Sequence, residues 1–346
     1  MVFPYGEGDL PHKYRPRKFC EVLGHSQNVK SIKEALRSPK PPQAYMLVGP
    51  SGVGKTTLAR IMATALNCTD IKDGEPCLEC PSCKSILSGR CVDIEEVNAA
   101  DTLGIDDVRS LKSAMSYMPA QVKNRVYILD EAQGLTADAQ SSLLKVLEDA
   151  PNNVYTIICT TNPEKIKKTV INRCQKFKFG KLTRKDLKFL IEAVSAFETY
   201  NIVDDVTELI IDAADGLGRN ALVLLQQVAQ IGFANITEIK KLLEAEDADK
   251  GVMDLCFALF SPKNVPWKTI AEIYNNLSGT SPEMIWMTLA GYCRNALIKP
   301  NRKFTEKHAL ALELLSNDMP AIKPENKLVS NIYKIWKMRT GSGKWV

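Results

Sequence analysis

Short apolar runs alternate with amphipathic stretches through the first half of the chain. The runs are rich in Val, Ile, Leu and Tyr, which is typical of strands that a sheet buries on both faces. Between them, apolar residues recur at helical spacing, as Leu143, Leu144 and Leu147 do. The predicted strands are 44–48, 92–97, 125–129 and 154–159, and the predicted helices are 26–37, 55–66 and 137–147. This alternation predicts a parallel sheet with helices on both faces.

The pattern changes after residue 180. Little of the remaining sequence is typical of strands, whereas Val206, Leu209 and Ile210 follow the helical period. An acidic run at 244–249 is a candidate linker between two helical regions. The sequence therefore predicts an α/β domain at 1–180, a small helical domain at 181–243 and a larger helical domain at 244–346.

The composition is that of an ordinary soluble protein and leaves room for two or three domains. The chain has 346 residues, of which 45% are apolar and 25% charged, and its net charge is +5. This mild positive charge permits a nucleic-acid partner without requiring one. No apolar stretch approaches the length of a membrane span, and the N-terminus lacks the apolar region of a signal peptide. We therefore expect a cytoplasmic protein whose cysteines stay reduced unless a metal binds them.

A glycine-rich segment lies between the first predicted strand and the helix that follows it. It matches the pattern G-x-x-x-x-G-K-[ST] at every fixed position. Its glycines allow successive N–H groups to face phosphate oxygens, and the helix start adds its dipole. Here Lys55 would contact the β- and γ-phosphates, and Thr56 would bind Mg²⁺. The residues expected to contact nucleotide are Gly49, Pro50, Ser51, Gly52, Val53, Gly54, Lys55, Thr56 and Thr57.

Two acidic residues follow the third predicted strand. Asp130 would hold the Mg²⁺ ion, and Glu131 would activate the attacking water. Apolar runs ending in Asp-Glu also occur at solvated strand ends, but the phosphate-binding loop upstream favours the functional interpretation. The fourth predicted strand ends in Thr160, Thr161 and Asn162. Their side chains would reach the γ-phosphate, unless this segment is an ordinary exit from a strand.

Four cysteines lie close together after the helix of the phosphate-binding loop. They are Cys68, Cys77, Cys80 and Cys83. Four thiolates at this spacing, among turn-forming residues, suit a closed tetrahedral Zn²⁺ site with a structural role. An iron–sulfur cluster is an alternative, although the fourth ligand and the proline of a ferredoxin run are missing. Free buried thiols are the other alternative.

Together these elements resemble the AAA+ ATPase subunits of sliding-clamp loaders, and in particular the bacterial DNA polymerase III gamma/tau family. The resemblance covers about residues 10–230, and its most specific part is the four-cysteine insert. It implies an α/β P-loop AAA+ domain, a small helical lid domain and a C-terminal all-helical collar domain that forms the oligomer. The last domain resembles the family only in being helical and of suitable size.

The resemblance also implies roles for residues outside the motifs. The family's N-terminal segment, which contacts the nucleotide base, is matched by Tyr14, Arg15, Pro16 and Val22. Thr161 falls at the position called sensor 1. Arg219 falls at sensor 2, where it would contact the γ-phosphate of its own subunit. Arg173 matches the arginine finger, which would act in trans in the site of the neighbouring subunit.

The chain departs from the family at two of these places. Asn172 stands before the finger where the family has Ser, and Gln133 stands where bacterial members usually have His after the two acids. DNA contacts are expected on inner helices of the assembly, with Arg109 and Lys112 as candidates. Ten basic residues between 164 and 188 indicate either a solvated edge or a subunit interface around the finger.

The function implied by the resemblance is that of an ATP-hydrolysing clamp-loader motor. ATP binding would drive clamp opening and binding of primer–template DNA, and hydrolysis would release the closed clamp on DNA. The implied cofactors are ATP, Mg²⁺ and Zn²⁺. The implied partners are other loader subunits in an assembly like a hetero-pentamer, the sliding clamp and DNA, with no membrane.

Two alternative functions remain open. A catalytically silent scaffold subunit of the same assembly would have a degraded P-loop or lack the Asp-Glu pair, and this sequence has neither defect. Another AAA+ DNA motor, such as a branch-migration helicase, would lack the cysteine insert and form closed hexamers.

Overall fold

The computed structural model describes residues 4–5, 8–99, 115, 117–260, 265–277, 280–298, 306–316 and 324–337. Contacts divide the chain into two compact units, Met1–Asn235 and Ile236–Val346. Within the described residues, none of the helices combines the length and the apolar character that crossing a membrane requires.

A five-stranded parallel sheet lies at the centre of the first unit. Its strands are β1 (Ala44–Val48), β2 (Ile94–Asn98), β3 (Arg125–Asp130), β4 (Val154–Thr160) and β5 (Gln175–Lys178), in the order β2-β3-β4-β1-β5. The four predicted strands and their parallel arrangement are confirmed. No strand was predicted at β5, which is short, lies at the sheet edge and has one buried residue, Phe177.

Helices cover both faces of the sheet, as predicted. Residues of β1 alternate between the faces, because Tyr45 and Leu47 belong to one buried cluster and Met46 and Val48 to another. The first cluster contains side chains of the helices Ser26–Arg37 and Lys55–Asn67, and the second contains side chains of the helices Ala137–Glu148 and Lys168–Asn172. The helices of this unit up to α6 are α1 (Leu10–Lys13), α2 (Ser26–Arg37), α3 (Lys55–Asn67), α4 (Pro81–Leu87), α5 (Ala137–Glu148) and α6 (Lys168–Asn172).

Three further helices of the first unit lie among the residues that the structure describes. They are α7 (Arg184–Phe197), α8 (Asp204–Ala213) and α9 (Gly218–Ile231). Each is amphipathic and buries one face, as Leu187, Ile210 and Leu224 illustrate. These three helices belong to the same compact unit as the sheet. The division between an ATPase domain and a lid at residue 180 therefore stays a prediction.

The described part of the second unit is helical. Its helices are α10 (Ile236–Phe260), α11 (Trp267–Asn275), α12 (Pro282–Ile298), α13 (Glu306–Leu315) and α14 (Pro324–Lys337). The core contains Trp286, whose ring N–H donates to the Leu315 carbonyl at 2.9 Å. α10 runs through the acidic residues 244–249, since Glu and Ala favour helices. This helix continues across the predicted boundary at 243/244, the second compact unit begins at Ile236, and the predicted division into domains stays a prediction.

The sheet order brings the predicted nucleotide residues to one edge. Strands β1, β3 and β4 are adjacent or one strand apart and run in the same direction. The glycine-rich loop, the two acids and Thr160–Asn162 therefore all leave the sheet at its carboxyl edge, which is where open α/β sheets bind ligands.

Candidate nucleotide site and cysteine cluster

The glycine-rich loop is closely packed where it leaves β1. The Gly49 N–H donates to the Thr160 carbonyl at 3.2 Å. A Cβ at Gly49 would lie 2.4 Å from the Phe179 carbonyl oxygen, so a larger residue does not fit. Gly52 and Gly54 have φ of 81° and 96°, values that favour glycine. The loop then enters α3 at Lys55 with its N–H groups at a helix N-terminus, which favours bound phosphate.

Lys55 and Thr56 both form hydrogen bonds beside the loop, and their contacts with phosphate and Mg²⁺ stay predictions. Lys55 is 5% exposed, and its Nζ lies 2.8 Å from the carbonyl oxygens of both Gly49 and Pro50. Burial lowers the pKa of Lys55, and the nearby Glu131 carboxylate opposes this shift. The Thr56 hydroxyl donates to Asp130 Oδ2 at 2.7 Å. A hydroxyl and a carboxylate in contact provide the oxygen ligands that Mg²⁺ prefers.

Gln133 joins the second acid to the end of β4. Its amide donates a hydrogen bond to the Glu131 carboxylate. Its carbonyl oxygen accepts from the Thr160 hydroxyl at 2.8 Å and from the Thr161 N–H at 3.2 Å. In the sequence, Gln133 stands out only as a departure from the family pattern, and 27 residues separate it from Thr160. The folded chain is therefore needed to reveal this connection.

A cavity of about 370 Å³ opens beside the loop. Besides residues 51–57, Asp130 and Glu131, its lining includes the predicted base-segment residues Tyr14, Arg15, Pro16 and Val22 and the predicted sensor residue Arg219. Burial lowers the pKa of Arg15, and the positive charges of Arg60 and Arg219 lower it further. The volume lies in the range usual for small-molecule sites. Arg15, Lys55 and Arg219 place positive charge in a lining that also contains carboxylates such as Asp130 and Glu131.

The turn before α9 lies against the phosphate-binding loop. A Cβ at Gly52 would be 3.7 Å from Leu217 Cβ and 3.8 Å from Arg219 Cβ. The structure thus brings the predicted sensor 2 residue to the loop, although 164 positions of sequence, from 55 to 219, separate it from Lys55.

Four residues predicted to contact the nucleotide differ from the others. Gly49, Pro50, Thr161 and Asn162 are not among the described residues that line the cavity. The buried side chain on this turn is that of Thr160, which is 0% exposed and bonds to Gln133. A sensor role for Thr161 and a nucleotide contact for Asn162 therefore stay predictions.

Arg173 lies away from the cavity at the C-terminal end of α6. Its side chain is 55% exposed and its Nη2 lies 2.7 Å from Glu148 Oε1. Exposed pairs of this kind contribute little to stability, so the guanidinium is able to change partners. The two DNA candidates, Arg109 and Lys112, lie outside the described residues.

The four predicted cysteines form one cluster. Their sulfur atoms all lie within 4.8 Å of one another, and all four thiols are free. Backbone N–H groups face three of the sulfurs: Cys77 N lies 3.3 Å from Cys68 Sγ, Cys80 N 3.3 Å from Cys77 Sγ and Cys83 N 3.5 Å from Cys80 Sγ. Burial raises the pKa of Cys80, but hydrogen bonds involving Thr69 and Cys83 outweigh it and lower the value to about 6. Four convergent thiols supported by N–H donors fit a tetrahedral metal site.

Comparisons with known proteins find sequence similarity to DNA polymerase III subunits. Residues 24–183 match the model of the family described as DNA polymerase III, delta subunit. The chain is 37% identical over 235 residues to DNA polymerase III subunit tau of Bacillus subtilis, covering 68% of this chain and 40% of that protein. It is 34% identical over 227 residues to the gamma subunit of Buchnera aphidicola, covering 66% and 62%.

The resemblance to bacterial gamma/tau subunits is confirmed. The chain nevertheless spans only part of the length of these relatives, 40% of the Bacillus protein and 62% of the Buchnera protein. The matched stretch of this chain, residues 24–183, includes the phosphate-binding loop, the cysteine cluster, Asp130, Glu131 and Arg173.

A solved structure with the same fold is the RuvB Holliday junction branch migration motor of Thermotoga maritima. The TM-score is 0.54 at 19% identity, covering 88% of this chain and 99% of RuvB. This likeness, together with the parallel sheet and the loop after β1, confirms the predicted P-loop AAA+ architecture.

Proposed function

We propose that this chain is the ATP-hydrolysing motor subunit of a DNA sliding-clamp loader. The observation that carries the proposal is the contact between Thr56 and Asp130 at 2.7 Å, beside Lys55 and Glu131, in a chain related to gamma/tau subunits. Each of these groups has a defined task in P-loop ATPases, and all four lie at one cavity.

The chemistry follows from the side chains around the cavity. Lys55 neutralises negative charge on the β- and γ-phosphates, and Arg219 meets the γ-phosphate from α9. Thr56 and Asp130 hold Mg²⁺, which supplies further charge neutralisation when bound. Glu131 accepts the proton of the attacking water. Gln133 donates to the Glu131 carboxylate and accepts a hydrogen bond from Thr160 at the end of β4, so it holds the carboxylate in place.

A complete site requires a second subunit in this proposal. Arg173 is exposed and lies outside the cavity of its own chain. Placed in the neighbour's site, its guanidinium would stabilise charge that develops in the transition state. ATP bound at such an interface would favour the assembly that opens the clamp and accepts primer–template DNA. Hydrolysis would remove the γ-phosphate contacts and release the closed clamp.

We further propose that Cys68, Cys77, Cys80 and Cys83 bind one structural Zn²⁺ ion. The cluster uses four protein sulfurs, so a tetrahedral ion would have no open position for a substrate. Hydrogen bonds from backbone N–H groups to sulfur also occur in iron–sulfur proteins, and metal analysis separates these assignments.

The two alternative functions are less well supported. A silent scaffold subunit has no need of Lys55, Thr56, Asp130 and Glu131 at one cavity. A branch-migration motor is favoured only by the fold similarity to RuvB, at 19% identity against 37% for the tau subunit. Closed hexamers of the purified chain alone would favour the branch-migration motor. Co-purification with a clamp and other loader subunits from the native source would favour the proposal.

The decisive test of the nucleotide site is Lys55→Ala. Loss of this cation from the phosphates is expected to lower ATP turnover by about 10²–10³-fold, as removal of a key charge-stabilising donor does in other enzymes. Lys30→Ala is the matched control, because Lys30 is exposed on α2. Circular dichroism checks that both variants fold. Full turnover in folded Lys55→Ala would refute the assignment.

A further inference from the structure

We propose that the cysteine insert (residues 68–83) positions the N-terminal segment (residues 14–23), part of which lines the nucleotide cavity. The insert acts through Glu75, so that metal binding at the cysteines increases the affinity for nucleotide. The inference rests on the proposed ATP and zinc sites. It gives the insert a role in nucleotide binding, and it assigns Glu75 as a positioning residue.

Glu75 is held by a tight turn just before the cluster. Lys72 and Glu75 form an antiparallel bridge, with N–H to carbonyl distances of 2.8 and 3.3 Å. Between them, Asp73 and Gly74 have φ of 51° and 75°. Two positive φ values at the central positions are the mark of a type I′ turn, for which Asp-Gly is a preferred sequence. Glu75 is two residues from the predicted ligand Cys77, so its position depends on the order of the cluster.

The Glu75 carboxylate uses both of its oxygens to contact other parts of the unit. Oε2 accepts from the Phe19 N–H at 2.7 Å, and Oε1 accepts from Lys33 Nζ at 2.8 Å. The side chains of Glu75 and Lys33 are only 18% and 22% exposed. Charge-assisted hydrogen bonds with this degree of burial are stronger than those of a fully exposed pair. The Glu75 carboxylate thus connects the insert by hydrogen bonds to the N-terminal segment and to α2.

Phe19 lies in the segment that lines the nucleotide cavity. It is 1% exposed, and its carbonyl accepts from the Val22 N–H at 3.1 Å. Cavity-lining residues precede it at Tyr14–Pro16 and follow it at Glu21–Leu23. A displacement of the Phe19 backbone would therefore move both parts of the lining.

The insert acts at a distance in this arrangement. None of the described residues 68–83 lines the cavity. Glu75 connects the insert to the lining segment through one side chain, and Asn67 at the end of α3 connects the insert covalently to the phosphate-binding loop's helix. A substitution at Glu75 removes the connection through its carboxylate and leaves the covalent connection intact. The effect of such a substitution therefore distinguishes the two connections.

The first experiment measures binding of a fluorescent, non-hydrolysable ATP analogue to the full chain, zinc-loaded and zinc-depleted. For the wild type, zinc removal is expected to weaken binding about tenfold, a usual size for coupling between two sites. Zinc-loaded Glu75→Ala is expected to bind about as weakly as the zinc-depleted wild type, and to lose little more on depletion. Glu75→Gln keeps one acceptor and should fall between them.

The matched control is Asp73→Asn in the same turn. The Asp73 side chain is fully exposed and lies 3.6 Å from Arg37, and Asn tolerates the left-handed conformation. This variant is expected to bind the analogue like the wild type in both metal states. Elemental analysis confirms zinc content, and circular dichroism confirms folding.

A second measurement needs no metal-free protein. Linkage requires that nucleotide also strengthens metal binding, so the analogue should slow zinc release to a chelator in the wild type and have little effect in Glu75→Ala. Wild-type affinity in zinc-loaded Glu75→Ala, or equal losses on depletion in wild type and variant, would overturn the inference. A wild type that binds no analogue would instead refute the proposed function.

Discussion

The nucleotide cavity and the cysteine cluster are built in opposite ways. The cavity collects residues from four distant parts of the chain, represented by Arg15, Lys55, Asp130 and Arg219. The cluster takes all four sulfurs from residues 68–83. A site assembled from distant parts depends on the whole fold, and through Arg173 it would depend on a second chain. The cysteine cluster comes from one short segment, so its arrangement would depend on the metal that its sulfurs bind.

Arg173 provides the largest expected effect and tests whether the cavity needs a second chain. Arg173→Ala should lower turnover of the assembled protein by about 10³–10⁵-fold, the range for arginine fingers supplied in trans. Mixing it with an excess of Lys55→Ala should restore activity, because each Arg173→Ala site then gains a neighbour with an intact finger. ATPase assays measure this, and native mass spectrometry verifies mixed assemblies.

Arg90→Ala is the control for Arg173, since Arg90 is also exposed. It should leave turnover unchanged. A mixture that forms mixed assemblies but stays as inactive as its components would exclude the trans role of Arg173.

Glu131→Gln separates binding from chemistry in the cavity. Loss of the base should reduce turnover by about 10²–10⁴-fold, while Asp130 and Lys55 still support nucleotide binding. The variant should therefore hold ATP, clamp and DNA in one stable complex. Turnover and clamp-release kinetics provide the measurement, with Glu95→Gln on the exposed part of β2 as control. Normal clamp release would contradict the role of Glu131.

Gln133→Ala tests a smaller contribution within the same cavity. It removes a hydrogen bond to the Glu131 carboxylate and the link to Thr160. Since a hydrogen bond to a charged group contributes on the order of 1.5–3 kcal/mol, we expect kcat to fall about tenfold, with KM little changed. Exposed Gln27→Ala provides the control. A change confined to KM would indicate that Gln133 acts in binding instead.

Cys80→Ser should have the smallest effect on turnover and the clearest effect on metal. The purified chain is expected to carry about one zinc, and this variant should lose most of it, because structural zinc sites depend on every ligand. At saturating ATP, kcat should change little, because the cluster does not line the cavity. Cys20→Ser, which is exposed and outside the cluster, should keep the metal. Iron, or no metal, in the wild type would reject the zinc assignment.

The contrast between the two sites also explains what could be predicted from the sequence. The cysteine cluster and the P-loop are continuous patterns, and their spacing alone indicates their chemistry. Asp130 and Glu131 follow a strand whose apolar residues are unmistakable. By contrast, β5 is a short edge strand with alternating exposure, so it carries little hydrophobic signal. Its basic residues favour the interpretation as a solvated edge or an interface.

The sequence did not predict the hydrogen bonds that some side chains form with distant parts of the chain, and the reason is physical. Gln133 reaches Thr160 across 27 residues, and Glu75 reaches Phe19 across 56. Neither glutamine nor glutamate has a local pattern that distinguishes a buried hydrogen-bonding role from a solvated surface role. The positions of Arg15 and Arg219 at the cavity could be anticipated only through family resemblance, since each is an isolated charge in the sequence.

The pairing of β5 with β1 has a consequence for how neighbouring sites would influence each other. Arg173 lies two residues before β5, and β5 is hydrogen-bonded in parallel to β1 from Tyr45↔Gln175 to Val48↔Lys178. The phosphate-binding loop begins directly after Val48. One strand pair therefore lies between the loop proposed to bind this chain's own nucleotide and the arginine proposed to act in a neighbouring subunit. The loop follows the carboxyl end of β1 and Arg173 precedes the amino end of β5, so in an assembly of the proposed kind a shift of the loop would reach Arg173 along the full length of this pair.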